Sequence, residues 1–236
     1  MTDQKKKKVV VLQSNYIPWK GYFDLIRRAD EFVFYDDVQF TKNDWRNRNK
    51  IKTPRGTEWV SIPCGTDLKR LINEVTITKH DWQKDHWNRI KLNYSKAEHF
   101  NLYHDFFEDF YLNKTWTNLS ELNQYLITSI SKQFLNINTV FTNSVAYAPQ
   151  GNRMDRLIDV LKKAGATEYI SGPAAKDYIV EEDFSRANIQ LTWMDYGNYP
   201  EYRQQFPPFV HNVSIIDLLF NEGPEAIRYL STSITK

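Results

Sequence analysis

The β-branched run Val9-Val10-Val11-Leu12 constrains this chain more than any other short stretch. It lies between lysines and the polar residues Gln13, Ser14 and Asn15, and it reads as a strand buried on both faces. Pro18 and Gly21 then mark a turn. Phe23, Leu25, Ile26 and Ala29 follow at helical spacing, with Arg27 and Arg28 outward. Phe32–Tyr35 reads as a second short strand. Strand, helix and strand within roughly thirty residues make a βαβ unit, whose two strands lie parallel.

Farther on, Trp59–Ile62 and Val75–Ile77 read as two more strands, an appended hairpin. From His80 to Leu135 the pattern turns helical. Trp87, Ile90, Leu92 and Tyr94 open it, and Leu122, Tyr125, Leu126, Ile130 and Phe134 recur within Leu119–Phe134. The α/β rhythm then returns with a strand at Thr139–Phe141 and a helix at Met154–Ala164, ended by Gly165. Strands at Glu168–Ser171 and Ile189–Trp193 follow, with a last helix at Val213–Phe220. The expected fold is α/β: a mostly parallel Rossmann-like sheet flanked by helices, with an inserted helical middle and a small β-hairpin. Residues 1–79 are expected to form the first part of the α/β domain with the hairpin, 80–135 a helical subdomain, and 136–236 the rest of the α/β domain.

A chain of 236 residues is ample for a hydrophobic core. Its 31 basic and 29 acidic residues leave a net charge of +2, which argues against a nucleic-acid partner. Cys64 is the one cysteine, so no intrachain disulfide forms and a reducing compartment is expected. Lys5–Lys8 before Val9–Leu12 imitates a signal peptide, but the apolar run is too short. No run approaches the ~20 residues of a membrane helix. The expectation is a soluble, cytoplasmic protein with no membrane partner. Aromatic residues reach 15%, which serves a ring-rich core or a pocket that stacks on a base or sugar.

Ligands of open parallel sheets collect outside the carboxyl ends of the strands. Three polar clusters follow expected strands: Gln13, Asn15 and Tyr16; Asp36, Asp37 and Gln39; and Ser171, Gly172 and Lys176. The second cluster opens the stretch DDVQFTKNDWRNRNKIKT, Asp36–Thr53. Arg46 and Arg48 offer forked donors suited to phosphate or carboxylate, and Lys42 adds a point charge. A solvated surface with local Asp–Arg pairs is the plainer explanation. It would not need Phe40, Trp45 and Ile51 interleaved. Basic groups for a diphosphate, acids and amides for a sugar, and rings for a base fit a nucleotide-linked sugar.

Other chemistries find less. There is no Gly-x-Gly-x-x-Gly and no Walker sequence. No metal site is expected from one cysteine and five histidines without a ligand-like pair. Cys64 fits a small buried hydrophobe better than a nucleophile. His211 precedes a helix and is a candidate general base, while Asn212 or Ser214 can cap that helix. Pro18–Gly21 compares loosely with the Pro-x-His-x-Gly-His turn of nucleotidyltransferases. It is one residue short, and Tyr22 replaces the last histidine.

Gln13, Tyr16, Pro18 and Trp19 with Gly21-Tyr22-Phe23 match the signature Gln-Pro-x-Tyr-x-Pro-Trp-x-Gly-Tyr-Phe. Ala29-Asp30, FVFYDDVQF, WRNRNKI, GATEYISGPAAKDYI and SIIDLLFNEG follow in order. The chain thereby resembles the WbqC-like family from about Val9 to Gly223, departing at Ser14, where the family usually has proline. The resemblance implies a cytoplasmic role in O-antigen or other surface polysaccharide pathways, among enzymes of nucleotide-linked sugars. It carries no catalytic chemistry residue by residue.

The expected function is therefore acyl or aminoacyl transfer to the amine of a nucleotide-linked sugar. Asp36 or Asp37 would take the amine proton, with His211 as an alternative base. Arg46, Arg48 and Lys42 would hold phosphates of the nucleotide or of a phosphopantetheine arm, the donor being acyl-CoA or an acyl carrier protein. Gln13, Tyr16 and Ser171 would position the sugar. One alternative is a nucleotidyltransferase using Mg²⁺ and a nucleoside triphosphate, and another is a non-catalytic sugar-binding or scaffolding protein. The short tails and paired helical middle allow a homodimer. All of this requires Gln13, Asp37 and Ser171 to face one crevice.

Overall fold

The computed structural model describes residues 6–230, so Lys5 of the basic run lies outside the described residues. The sheet grows outward from β1 (Lys8–Leu12). Side chains alternate along a strand, so Val9 and Val11 enter one core and Val10 the other. Helix α1 (Lys20–Arg27) leads to β2 (Glu31–Phe34), which pairs parallel with β1. A hairpin follows, β3 (Arg48–Thr53) antiparallel to β4 (Gly56–Ser61). Helices α2 (Asp81–Tyr94), α3 (Phe100–Glu108) and α4 (Leu119–Ser129) come next. The chain then re-enters the sheet through β5 (Val140–Asn143), α5 (Arg153–Lys163) and β6 (Glu168–Ser171). It finishes with α6 (Glu181–Arg186), β7 (Gln190–Trp193) and α7 (Ile215–Glu222).

The five strands lie in the order β5-β2-β1-β6-β7, and every neighbouring pair is parallel. The expected parallel sheet with flanking helices and a small hairpin is the observed architecture. The chain leaves β1 toward β2 but leaves β6 toward β7. Connections that depart in opposite directions open a crevice between the two strand ends. Residues of α5 and α6 pack on one face of the sheet. Residues of α1, the helical middle and α7 share a continuous core on the other. Rings join the middle to the rest: Phe100 and Phe107 lie 5.0 and 5.4 Å from Phe220 of α7. Among the described residues no helix is long and apolar enough to cross a membrane.

The hairpin differs from expectation. The partner of β4 is Arg48–Thr53, within the charged stretch, and Val75–Ile77 forms no strand with it. Asn49 and Ile51 face inward while Arg48 and Lys50 stay half-exposed, a period of two masked by charged residue types. Val75 and Ile77 are buried against the chain before α4: the Ile77 N–H donates to the Thr117 carbonyl at 2.8 Å, and the Leu119 N–H to that of Val75 at 2.9 Å.

One buried carboxylate fastens the middle to the sheet. Asp36, just beyond β2, accepts the Ser14 N–H at 2.7 Å with one oxygen. Its other oxygen accepts the Ser120 hydroxyl and the Gln124 amide, the latter at 3.0 Å, both from α4. Leaving such donors unsatisfied costs about 1–3 kcal/mol each. Asp36→Ala is therefore expected to lower stability by about 3 kcal/mol or more. A chemical-denaturation midpoint that stays within error of wild type would refute that role.

Candidate functional site

The crevice is a cavity of about 1120 Å³ at the carboxyl ends of the strands. Gln13 after β1, Asp37 and Gln39 after β2, Ser171 at the end of β6 and Gly172 just beyond it all border it. Clusters far apart in sequence thus share one rim. Arg153 and Arg156 of α5, Asn152 before it, Tyr35, Tyr169 and Tyr178 add further polar groups to its wall.

Adjacent residues on an extended chain face opposite ways, and Asp36 and Asp37 show it. Asp36 turns into the protein, as described above. Asp37 turns to the cavity, where it accepts the Ser144 hydroxyl and is ion-paired with Arg156. Arg156 is oriented further by donating to the Pro149 carbonyl at 2.8 Å. Gln39 is exposed on the rim, and its side-chain amide donates to the Leu68 carbonyl at 3.0 Å.

The basic residues of Asp36–Thr53 divide among several tasks. Arg46 reaches back to the first turn, donating to the Asn15 side chain and, at 3.2 Å, to that of Gln13; Asp44 lies 3.7 Å away. Its donors organise the rim. Arg48 lies over the Trp59 ring at 4.3 Å and donates to the Asn43 carbonyl. Lys50 approaches the same ring at 5.0 Å, and Trp45 packs on it at 5.3 Å. Trp45 and Trp59 are 42% and 38% exposed, so this aromatic-basic patch covers the hairpin surface. Lys42 is exposed. Lys176 sits over Trp193 at 5.5 Å. None of Asn15, Lys42, Trp45, Arg46, Arg48 and Lys176 is in the cavity wall.

Tyr16 is fully buried and does not reach the cavity. Its hydroxyl lies 2.9 Å from His86 Nδ1 and 2.6 Å from the Tyr111 hydroxyl, joining the first turn to the helical middle. The turn itself is strained. Ile17 has φ +35°, which crowds a β-branched side chain. Asn49 holds it there, its amide donating to the Tyr16 and Ile17 carbonyls at 3.1 and 2.8 Å. Gly21 is required because the Trp19 ring would lie 2.2 Å from any Cβ.

A second polar cluster stands apart. Asp217 is buried in α7 and accepts Tyr202 at 2.7 Å, Gln204 at 2.9 Å and Tyr94 at 3.0 Å; burial raises its pKa. Lys20 donates to the Pro200 carbonyl at 2.9 Å, and burial lowers its pKa to about 8 against the pull of Asp217 and Glu201. His211 packs on Phe209 at 4.6 Å, its pKa lowered by burial and by Lys20. None of these borders the cavity, so His211 and Asp36 are both outside it. Cys64 is buried, and its thiol is pushed up to about 12 by that burial, which leaves it unreactive. Among the described residues no group of three or more His, Cys, Asp or Glu is placed to hold a metal ion.

Sequence alone does not single out Arg153, Arg156 and Tyr178. A trace was present: two arginines open α5, where the helix dipole favours acids. Tyr178 lies in the stretch GATEYISGPAAKDYI that carries the family resemblance, but its residue type does not mark it as a cavity residue.

A family model described as the WbqC-like protein family matches residues 13–229. The chain is also 46% identical over 226 residues to the uncharacterized protein Rv1507c of Mycobacterium tuberculosis, which spans 95% of this chain and 97% of that one. No solved structure matches.

The burial of His86 has a pH consequence. Burial, helped by the charge of Arg89, lowers the His86 pKa from 6.5 to about 4. Between those values the unfolded imidazole takes a proton that the folded one refuses, so the unfolded state binds more protons. Stability is full above pH 6.5 and falls toward pH 4, by roughly 3 kcal/mol from this residue. Comparing wild type with His86→Gln in denaturant at pH 7 and 4.5 checks it. The gap between the two proteins should narrow at the lower pH, and a constant gap refutes it.

Proposed function

This chain belongs to the WbqC-like protein family, and on that premise we propose that it transfers an acyl or aminoacyl group to the amine of a nucleotide-linked sugar. The setting is a cytoplasmic surface-polysaccharide pathway, with an acyl thioester on coenzyme A or a carrier protein as donor. The supporting observation is the meeting of Gln13, Asp37, Gln39, Ser171 and Gly172 around one cavity of about 1120 Å³. Pockets for drug-sized ligands run to roughly 300–1,000 Å³. This one is large enough for a ligand longer than a single sugar.

Of the acids and bases named from the sequence, Asp37 alone touches the cavity. Its ion pair with Arg156 fixes its position. The sugar amine attacks the thioester carbonyl, a C–N bond forms, and the C–S bond breaks. The nitrogen becomes strongly acidic once bonded to the carbonyl carbon, so a carboxylate suffices to accept its proton and pass it to the departing thiolate. Gln13, Gln39 and Ser171 supply neutral donors and acceptors for sugar hydroxyls. The first turn offers no histidine to a triphosphate, and nothing at the site favours nucleotidyl transfer.

Uridine and thymidine diphosphate amino sugars are expected to raise the melting temperature in a concentration-dependent way, because a ligand of the native state stabilises it. With an acyl thioester donor, Asp37→Asn should reduce kcat about 10²–10⁴-fold while the protein still binds sugar. Absence of stabilisation by every member of the panel at millimolar concentration would sink this reading.

A further inference from the structure

We propose that Arg153 and Tyr178 form a subsite of the cavity for a nucleoside diphosphate, the guanidinium taking the diphosphate and the phenol ring stacking on the base. This rests on the reading of the cavity as a nucleotide-sugar site. It relocates the phosphate contacts from the arginines of Asp36–Thr53 to α5.

Arg46 is spent on Gln13, Asn15 and Asp44, and Arg48 on Asn43 and the Trp59 ring. Among the described residues, the cations that border the cavity are Arg153 and Arg156. Arg156 is committed to Asp37 and the Pro149 carbonyl. Arg153 is exposed and has no hydrogen-bond or ion-pair partner among the described residues. No polar partner among the described residues accounts for its position. It opens α5, where the helix dipole opposes a cation, and its backbone has φ +48°, unusual outside glycine. A forked guanidinium on a cavity wall, with no internal acceptor, is suited to two oxygens of a phosphate.

Tyr178 supplies the second half. It borders the same cavity, yet is 68% exposed and forms no side-chain hydrogen bond among the described residues. A large ring left uncovered at a cavity edge offers a flat face to a flat ligand. The wall between it and β6 is made of Gly172, Ala174 and Ala175, whose small side chains leave the ring's surroundings open. The same cavity is bordered by the neutral amides of Gln13 and Gln39. A sugar at those amides, a diphosphate at Arg153 and a base at Tyr178 use polar and aromatic groups of one cavity.

The test is equilibrium binding of nucleoside, monophosphate and diphosphate, in the uridine and thymidine series, to wild type and variants. Wild type should bind the diphosphate more tightly than the nucleoside. Arg153→Gln should weaken the diphosphate at least about tenfold, leave the nucleoside within about twofold, and flatten the salt dependence. Tyr178→Ala should weaken nucleoside and diphosphate alike by about tenfold or more, while Tyr178→Phe, which keeps the ring, stays near wild type. Both residues are exposed, and unchanged melting of the free variants would verify that they fold. A nucleoside diphosphate bound by wild type and with equal affinity by Arg153→Gln or by Tyr178→Ala would overturn this subsite and leave the cavity reading standing. No binding by wild type in either series would overturn both.

Discussion

A buried carboxylate held by neutral donors, with no cation partner among the described residues, organises this protein. Asp36 has three neutral donors around it, one from the first turn and two from α4. Burying an ionised group is costly unless hydrogen bonds replace its water, so its presence demands that those elements stay together. β2, the β1–α1 turn and the helical middle are thereby held at one end of the sheet. The rim of the cavity is an outcome of that fastening. The bond from Ser14 needs a backbone N–H, which proline in its place could not give.

The rim is then set by residues that do not border the cavity. Arg46 holds the side chains of Gln13 and Asn15, and Tyr22 donates to the Gln13 carbonyl at 2.9 Å. Asn123 of α4 donates to the Arg46 carbonyl at 2.8 Å. Tyr16 extends the same frame to His86 and Tyr111. A site whose groups are locked by such a supporting layer is presented in one geometry. The dense charge of Asp36–Thr53 is explained mainly by this layer and by the hairpin face, where cations lie over exposed tryptophans.

Much of the fold was legible. The buried run at Val9–Leu12, the turn at Pro18 and the helix ended by Gly165 each carry a local pattern that agrees with the final structure, whereas Gly21 lies within α1 and not in the turn before it. The hairpin was not, because Arg48–Ile51 alternates beneath arginine and lysine, whose chemistry reads as solvated surface, and Lys52 beyond it is itself buried. Val75–Ile77 was misleading for the converse reason: its apolar residues are buried by contacts with the segment before α4, not by a ladder with β4. At the site, strand ends located Gln13, Asp37, Gln39, Ser171 and Gly172. They could not tell which of two adjacent aspartates faces inward, nor that Arg46 spends its donors on the first turn.

By itself the sequence determined the class of sheet, the polar strand ends and the absence of an intrachain disulfide, since these follow from periodicity, turn chemistry and residue counts. Only the tertiary structure decided which charged groups are neutralised and which are left open. Periodicity acts over a few residues, whereas the ion pair of Asp37 with Arg156 and the bond of Arg46 to Gln13 join segments 119 and 33 residues apart. Whether a cation is spent or available depends on its neighbours in space, and that decision gave the cavity Arg153.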